Sequence, residues 1–332
     1  MWHQEGDKPV KKRSLCSPRD QSGVDLLNPS EEDQEKRING HELKFSHLSQ
    51  IYWPKEKYTK RDMLNYYHRV APFILRYLKN RPQSLNRQPN GIAGGSFYQK
   101  DVKGKAPDWT EKFAYHSEGD EREKEFLVCT DESSLLYMAS LGCIEMNPWS
   151  STVDRPDYPD WCVIDFDPDT NPFNQVIEAA VVTHQILLSA GIDSYCKTSG
   201  STGIHIYIPL GAKYTYEESK IFALAIVRKV HEQIPRFTSI ERPVIKRKGK
   251  IYLDFLQNRP QATLAAPYSI RPKPAATVSA PLHWEELKKG LKLKQFTMVN
   301  MPDRISSVGD IFKPVLGKGI DLKKALKALD SN

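Results

Sequence analysis

Trp161-Cys162-Val163-Ile164-Asp165-Phe166-Asp167 is the stretch on which the fold turns. Its apolar run is short and uninterrupted, and Pro168 follows, so it reads as a buried strand that ends in acids. Residues i and i+2 of a strand share a face, so Asp165 and Asp167 project together. Residues 251–256, Ile251-Tyr252-Leu253-Asp254-Phe255-Leu256, form a second apolar strand carrying one acid.

Helical and strand patterns alternate around these two segments. A helix is expected over residues 173–190, with Gly191 past its end. Strand segments follow at 192–198 and 204–209, joined by Ser199-Gly200-Ser201-Thr202-Gly203. Thr215-Tyr216-Glu217-Glu218 opens another helix with a full capping box. Upstream, Thr59-Lys60-Arg61-Asp62 resembles a capping box with Asp in place of Glu or Gln. Leu64, Tyr67, Ala71, Ile74, Leu75 and Leu78 then keep helical spacing, with Pro72 expected to kink the helix. A further helix is expected after Asp131. The elements do not form regular βαβ units, which predicts an α+β fold with a central, largely antiparallel sheet flanked by helices. Residues 1–38 are polar and lack apolar periodicity, so they are expected to be a disordered tail or linker. Residues 39–330 are expected to form the folded domain.

Composition narrows the function less. Lysine plus arginine number 48 against 41 acids, a net charge of +7, which suits a polyanionic partner without specifying one. Five cysteines with no C-x-x-C pair argue against a disulfide framework or a structural zinc site. The N-terminus has no apolar core of a signal peptide, and the most apolar run, residues 221–227, is too short to span a bilayer. A cytoplasmic protein without a membrane partner is expected. No G-x-x-x-x-G-K-[ST] and no G-x-G-x-x-G after a strand occurs, which sets aside P-loop and Rossmann sites.

The three carboxylates carry the chemistry. Asp165 and Asp167 repel one another unless a cation lies between them, and hard ions such as Mg2+ or Mn2+ take oxygen ligands. If Asp254 is their neighbour in the sheet, the three can hold two metals. D-x-D alone is a weak signal, and Asp167-Pro168-Asp169 also fits turn chemistry. The Gly200 loop can turn backbone N–H groups and hydroxyls to an anion, with His205 starting the next strand. There His205 can bind a phosphate oxygen or protonate a leaving pyrophosphate, while a plain hairpin with a packed histidine fits equally. Between Glu241 and Arg259 six cations face two acids, which suits a basic hairpin beside Asp254 that handles phosphate backbones. Arg87-Gln88-Pro89-Asn90-Gly91 and Phe97-Tyr98-Gln99-Lys100 mix cations with aromatics, a combination that can stack bases and hold a backbone. Core packing of Phe97 and Tyr98 is the plainer reading.

Taken in order, the segments resemble the polymerase domain of bacterial ATP-dependent DNA ligase D, a member of the archaeo-eukaryotic primase superfamily. The resemblance spans roughly residues 40–330. It rests on Ile51-Tyr52-Trp53-Pro54-Lys55, Arg87-Gln88-Pro89-Asn90-Gly91, Asn147-Pro148-Trp149, Asp165-Phe166-Asp167, Lys197-Thr198-Ser199-Gly200 through His205, Leu253-Asp254-Phe255-Leu256-Gln257-Asn258 and Ala266-Pro267-Tyr268-Ser269-Ile270-Arg271. It implies a primase-like fold with an RRM-like sheet. It implies Asp165, Asp167 and Asp254 as ligands of a two-metal Mn2+ or Mg2+ site, and Ser199, Gly200 and His205 as triphosphate contacts. Arg271, Lys273 and Asn147 match nucleotide-binding positions, and Phe97 an aromatic that stacks on base or template. Lys60 matches a lysine that binds a 5′-phosphate, Arg87 lies in a DNA-facing segment, and Arg247 in a loop that aligns DNA ends. The implied activity is addition of NTPs or dNTPs, ribonucleotides preferred, to 3′-ends in gap filling during non-homologous end joining. Ku-type protein is the implied partner, with a ligase module on another chain or missing from this one.

Asn147 stands where many relatives have histidine. Asn86, Gln50 and Thr202 stand where lysines are frequent, and Asn258-Arg259-Pro260-Gln261-Ala262-Thr263 replaces a common Arg-Gly version. These departures touch the phosphate grip and leave the three aspartates intact. No Lys-x-Asp-Gly motif occurs, so no ligase activity is expected. Two other functions fit parts of the pattern: a catalytically weak DNA-end-binding module, and a metal-dependent glycosyltransferase, against which the third aspartate and the basic segment argue.

Overall fold

A computed structural model of the chain describes residues 25–116 and 123–331. Residues 1–24 of the expected tail, and Cys16 with them, lie outside the described residues. The boundary expected at residue 38 falls inside a hairpin instead. Gln34–Ile38 (β1) pairs antiparallel with His41–Phe45 (β2). Asn39 and Gly40 between them have φ of 48° and 88°, the positive values a two-residue hairpin turn needs. Apolar alternation does not announce β1, because it buries only Gln34 and Ile38.

Ile51–Trp53 (β3) pairs with Tyr58–Thr59 (β4), and Thr59 caps the long helix Lys60–Leu78 (α1). The Thr59 hydroxyl accepts from the Asp62 N–H at 3.3 Å, and the Asp62 carboxylate takes the Thr59 N–H at 2.7 Å. Aspartate thus completes the reciprocal cap expected of a longer acid. The helix continues through Pro72 and buries Met63, Leu64, Tyr67 and Ile74. Short strands Arg81–Pro82 (β5), Leu85–Arg87 (β6), Phe97–Gln99 (β7), Lys112–Tyr115 (β8) and Lys124–Cys129 (β9) follow, paired β5-β9-β8 and β6-β7. Glu132–Ser140 (α2), capped by Asp131, packs on α1.

The centre is a six-stranded sheet. Trp161–Asp167 (β10) is followed by Phe173–Ser189 (α3), then Tyr195–Thr198 (β11), Ile204–Pro209 (β12), Tyr216–Gln233 (α4), Thr238–Ser239 (β13), Val244–Arg247 (α5), Ile251–Asp254 (β14) and Pro281–Leu282 (β15). The order is β13-β14-β10-β12-β11-β15, antiparallel except for β13 with β14. The Cys162 thiol lies 3.7 Å from the Ser219 carbonyl of α4, so Cys162, Ile164 and Phe166 face the helical layer. Trp161, Val163, Asp165 and Asp167 take the other face. Two strands are shorter than expected. Ile192 donates to Leu187 and closes α3, delaying β11 to Tyr195, and the Asp254 carboxylate accepts the Leu256 N–H at 2.7 Å and ends β14. The basic segment is not a hairpin. Because β13 and β14 run parallel, the chain crosses back between them through α5. Met301–Val308 (α6) packs on α1 and Leu322–Ser331 (α7) on α4.

Among the described residues no helix is long and apolar enough to cross a membrane. Cys129, Cys143, Cys162 and Cys196 are buried free thiols. Burial pushes the first three up to about 12, so they pack as small apolar groups.

Candidate active site

The pairing register lines up one row of side chains across four strands. Asp254 of β14 is opposite Asp165 of β10, Asp165 is opposite His205 of β12, and His205 is opposite Lys197 of β11. Directly paired residues share a face, so all four project from the side away from α4. A buried amide fixes the register. Asn258 accepts from Val163 N–H at 2.9 Å and donates to Val163 carbonyl at 2.7 Å, and its oxygen also accepts from the Ser219 hydroxyl. Asn258 thereby ties the end of β14's loop to the strand that carries Asp165.

The row opens into a cleft lined by Tyr98, Glu145, Asn147, Asp165, Asp167, Ser199, Thr202, His205 and Arg271. Gly203 lets its rim close up: a Cβ there would lie 2.1 Å from the Phe166 carbonyl oxygen. Gly200, at φ 69°, would place a Cβ 2.7 Å from the Arg271 side chain. Within the loop, Ser199 Oγ accepts from the N–H groups of Ser201, Thr202 and Gly203 at 3.1, 3.1 and 2.9 Å. The amides expected to face an anion therefore face Ser199 in this arrangement, which leaves the hydroxyls of Ser199, Ser201 and Thr202 as the donors the loop brings to the cleft.

Burial is the largest influence on Asp165, followed by the negative charges of Asp254 and Asp167, and together they raise its carboxyl to about 7. Asp254 is also raised, again mainly by burial. Such unrelieved repulsion among oxygen donors fits a hard divalent cation. The three carboxylates are neighbours without being converged. Asp254 is held by Leu256 N–H and the Gln257 amide at 3.0 Å, while Asp167 lies 3.5 Å from Arg247 Nη1. Among the described residues no three His, Cys, Asp or Glu groups stand close enough to grip an ion as they are. In this arrangement Asp254 and Asp167 are engaged with these partners.

His205 is buried, with Nε2 3.4 Å from Asp165 Oδ1 and Nδ1 2.8 Å from Lys197 Nζ. Burial first, and then the charges of Lys197 and Arg271, push it well below the usual histidine range. Arg271 donates through Nε to Glu145 at 2.9 Å and through Nη1 to the Ser199 carbonyl at 2.5 Å. Asn147 donates to Glu145 at 3.3 Å. Lys273 is exposed and does not line the cleft; Trp53 Nε1–H binds its carbonyl. Phe97 is exposed under the Arg87 guanidinium, 5.4 Å from the ring centroid, in an adjoining groove that Tyr98 shares with the cleft. Phe97 and Tyr98 are thus not core residues. Arg87 also donates to Leu141 carbonyl and Gln99. Lys60 is buried and gives its ammonium to the Ser46 carbonyl at 3.1 Å. Arg247 lies on the Tyr252 ring, 3.9 Å away, as well as against Asp167.

Three participants were given no role in the sequence, although Lys197 and Asn258 stand inside quoted segments. Lys197 sits wholly buried in the row; counting back from the five-residue loop places it opposite His205. Glu145 gathers Asn86, Asn147 and Arg271 on one buried carboxylate. Asn258 is the third; its partners Val163 and Ser219 lie 95 and 39 residues away, so no local pattern assigns it this role.

Comparison with known proteins gives the following. The family model described as LigD, primase-polymerase domain, matches residues 59–312. The bifunctional non-homologous end joining protein LigD of Bacillus subtilis is 36% identical over 270 residues, which cover 80% of this chain and 43% of that protein. The multifunctional non-homologous end joining protein LigD of Pseudomonas aeruginosa is 30% identical over 269 residues, covering 80% and 32%. The chain therefore spans less than half the length of these relatives. The polymerase domain from Mycobacterium tuberculosis ligase D, solved in complex with DNA, is similar with a TM-score of 0.77 at 24% identity, covering 84% of this chain and 99% of that one. That likeness is one of fold, and it agrees with the α+β architecture expected.

Proposed function

Because the chain belongs to the LigD primase-polymerase family, we propose that it transfers nucleotides from NTPs or dNTPs, ribonucleotides preferred, to 3′-ends in gap filling during non-homologous end joining. The observation that carries this reading is the row Asp254–Asp165–His205 beside the Ser199 loop, an acidic corner next to the loop hydroxyls and the Arg271 guanidinium. Asp165, Asp167 and Asp254 would hold Mn2+ or Mg2+, which when bound activates an attacking 3′-oxygen and neutralises the triphosphate. The chain's own residues bind and orient. Ser199, Gly200, His205, Arg271 and Asn147 take the nucleotide in the cleft, with Lys273 reaching in from its rim. Arg271 keeps its free N–H groups for the triphosphate while Glu145 and Ser199 fix its plane. Phe97 and Tyr98 offer exposed aromatic faces to a base, and Arg87 and Lys60 serve the DNA backbone and its 5′-phosphate. Lys60 gives one N–H to the Ser46 carbonyl and keeps two for a phosphate. Arg247 aligns the ends. A Ku-type end-binding protein and a ligase module carried elsewhere complete the reaction.

Extension of a primer on a gapped duplex with a 5′-phosphate tests this, with Mn2+ and with ribo- and deoxyribonucleotides in parallel. Extension is expected, stronger with ribonucleotides. In the Asp165→Ala, Asp167→Ala double variant it should vanish while duplex binding persists. Folded protein that binds the duplex and never extends it would leave an end-binding module instead.

A further inference from the structure

The chain between Arg271 and Thr277 makes a turn that its own residues disfavour. Ala275 and Ala276 have φ of 67° and 46°, two successive alanines in the left-handed region. A Cβ is crowded there, and glycine is the ordinary occupant. Pro272 and Pro274 have no N–H, so the amides of Arg271, Lys273, Ala275 and Ala276 are left to fix the backbone. Three of these bond within the turn: Arg271 to the Thr277 carbonyl at 2.7 Å, Lys273 to the Arg271 carbonyl at 2.7 Å and Ala276 to the Lys273 carbonyl at 3.1 Å. The fourth leaves it. Ala275 N–H donates to Glu56 Oε1 at 2.8 Å, in the turn between β3 and β4 and 219 residues away. The same hairpin sends Trp53 Nε1–H to the Lys273 carbonyl at 2.9 Å.

We propose that Glu56 is a positioning residue for the nucleotide grip: it holds the turn in its left-handed form and so sets where Arg271 and Lys273 stand. The inference rests on the polymerase reading for the role of those two cations. Both ends of the turn reach the phosphate loop. Arg271 at its start binds Glu145 and the Ser199 carbonyl, and the Thr277 hydroxyl at its end donates to the Gly200 carbonyl. A backbone that relaxed at Ala275 would shift Lys273 and loosen the Arg271–Thr277 pair that closes the turn. Glu56 itself does not line the cleft, so its influence runs through the backbone it holds. Charge alone predicts the opposite sign. A carboxylate near a triphosphate repels it, so removing a purely electrostatic Glu56 would tighten nucleotide binding.

Calorimetric binding of ATP with Mn2+, together with KM and kcat for extension of a gapped duplex, reads the grip. Glu56→Ala should weaken ATP binding and raise the nucleotide KM about tenfold, with kcat within about threefold. Glu56→Gln keeps an acceptor for the Ala275 N–H without the charge, and should stay within about twofold of wild type. Glu56→Asp keeps the charge but falls one methylene short of the amide, and should resemble Glu56→Ala. Adding Ala275→Gly to Glu56→Ala should recover at least about threefold, since glycine adopts the left-handed form unaided. Folded Glu56→Ala with unchanged or tighter ATP binding overturns the proposal, as does Glu56→Gln as weak as Glu56→Ala. If Glu56→Ala does not fold, Ala275→Val decides on the same readouts, because it resists the left-handed form with Glu56 in place. Loss of ATP binding in Glu56→Ala, from a wild type that never extends a gapped duplex, would sink the polymerase reading and leave the positioning role standing.

Discussion

Lys197 and Asp165 both bury a titratable group in the cross-sheet row, and they differ in what surrounds it. At the Lys197 end Nζ meets three protein partners, the Ala265 carbonyl, Ser279 Oγ and His205 Nδ1, and burial followed by the Arg271 charge pushes the group well below the usual lysine range. At the Asp165 end two further carboxylates add repulsion to burial, and the group is raised to about 7. A buried polar group with every partner supplied by the protein is scaffolding. One whose neighbours make it worse marks where something from outside is missing. The row therefore runs from a group whose partners the protein supplies to one whose neighbours repel it, within four strands.

The largest expected effect tests the unsatisfied end. Asp165→Asn should cut primer extension by at least about 10²–10³-fold. Its effect on folding should have the other sign. In the presence of chelator the folded state binds the Asp165 proton more tightly than the unfolded chain, with about 7 against the ordinary 3.8. That contribution to stability is full below the unfolded value and is lost as pH rises through about 7. Chelated wild type should thus melt lower at about pH 8 than at about pH 5 by more than Asp165→Asn does, and Mn2+ should restore it. A variant that is less stable than chelated wild type at the higher pH would break the contrast.

Lys197→Met probes the satisfied end and should behave oppositely. It strands Nδ1 of His205, the Ala265 carbonyl and Ser279 Oγ, and should cost about 3 kcal/mol in denaturant unfolding. Asn258→Ala comes next at about 2 kcal/mol, since it leaves the Val163 N–H and carbonyl and the Ser219 hydroxyl without partners. A loss at Asn258 larger than at Lys197 would move the scaffold's weight from the row to the strand tie.

How much of this was legible follows from distance along the chain. The strand ending in Asp165 and Asp167, the caps at Thr59 and Thr215, and the Gly200 loop are local patterns, and each stands where the sequence puts it. Lys197 opposite His205 was within reach of counting, but its other acceptors come from 68 and 82 residues away. Glu145 takes Arg271 from 126 residues away, so its role as hub had no local signal. The basic segment looked like a hairpin because it leads into the Asp254 strand; the unread strand β13, parallel to β14, rules that out. Lys273 and Phe97 carry the right chemistry, yet the fold puts one on the surface and the other in the adjoining groove.

Arg247 gives the smallest effect and the sharpest test of what Asp167 is for. The Asp167 side chain is 55% exposed, so its contact with Arg247 at 3.5 Å is worth less than about 1 kcal/mol to the fold. Arg247→Ala should leave the melting temperature nearly unchanged. The guanidinium nevertheless occupies the carboxylate that a cation would need. Removing it should tighten Mn2+ binding about threefold by calorimetry, the change expected from a weak competing ion pair. Lys in its place should fall between, keeping the charge but losing the flat contact with Tyr252. Weaker Mn2+ binding in Arg247→Ala would mean that the arginine holds Asp167 in its metal-binding pose instead of competing for it. The unsatisfied end of the row would then be partly built before any ion arrives.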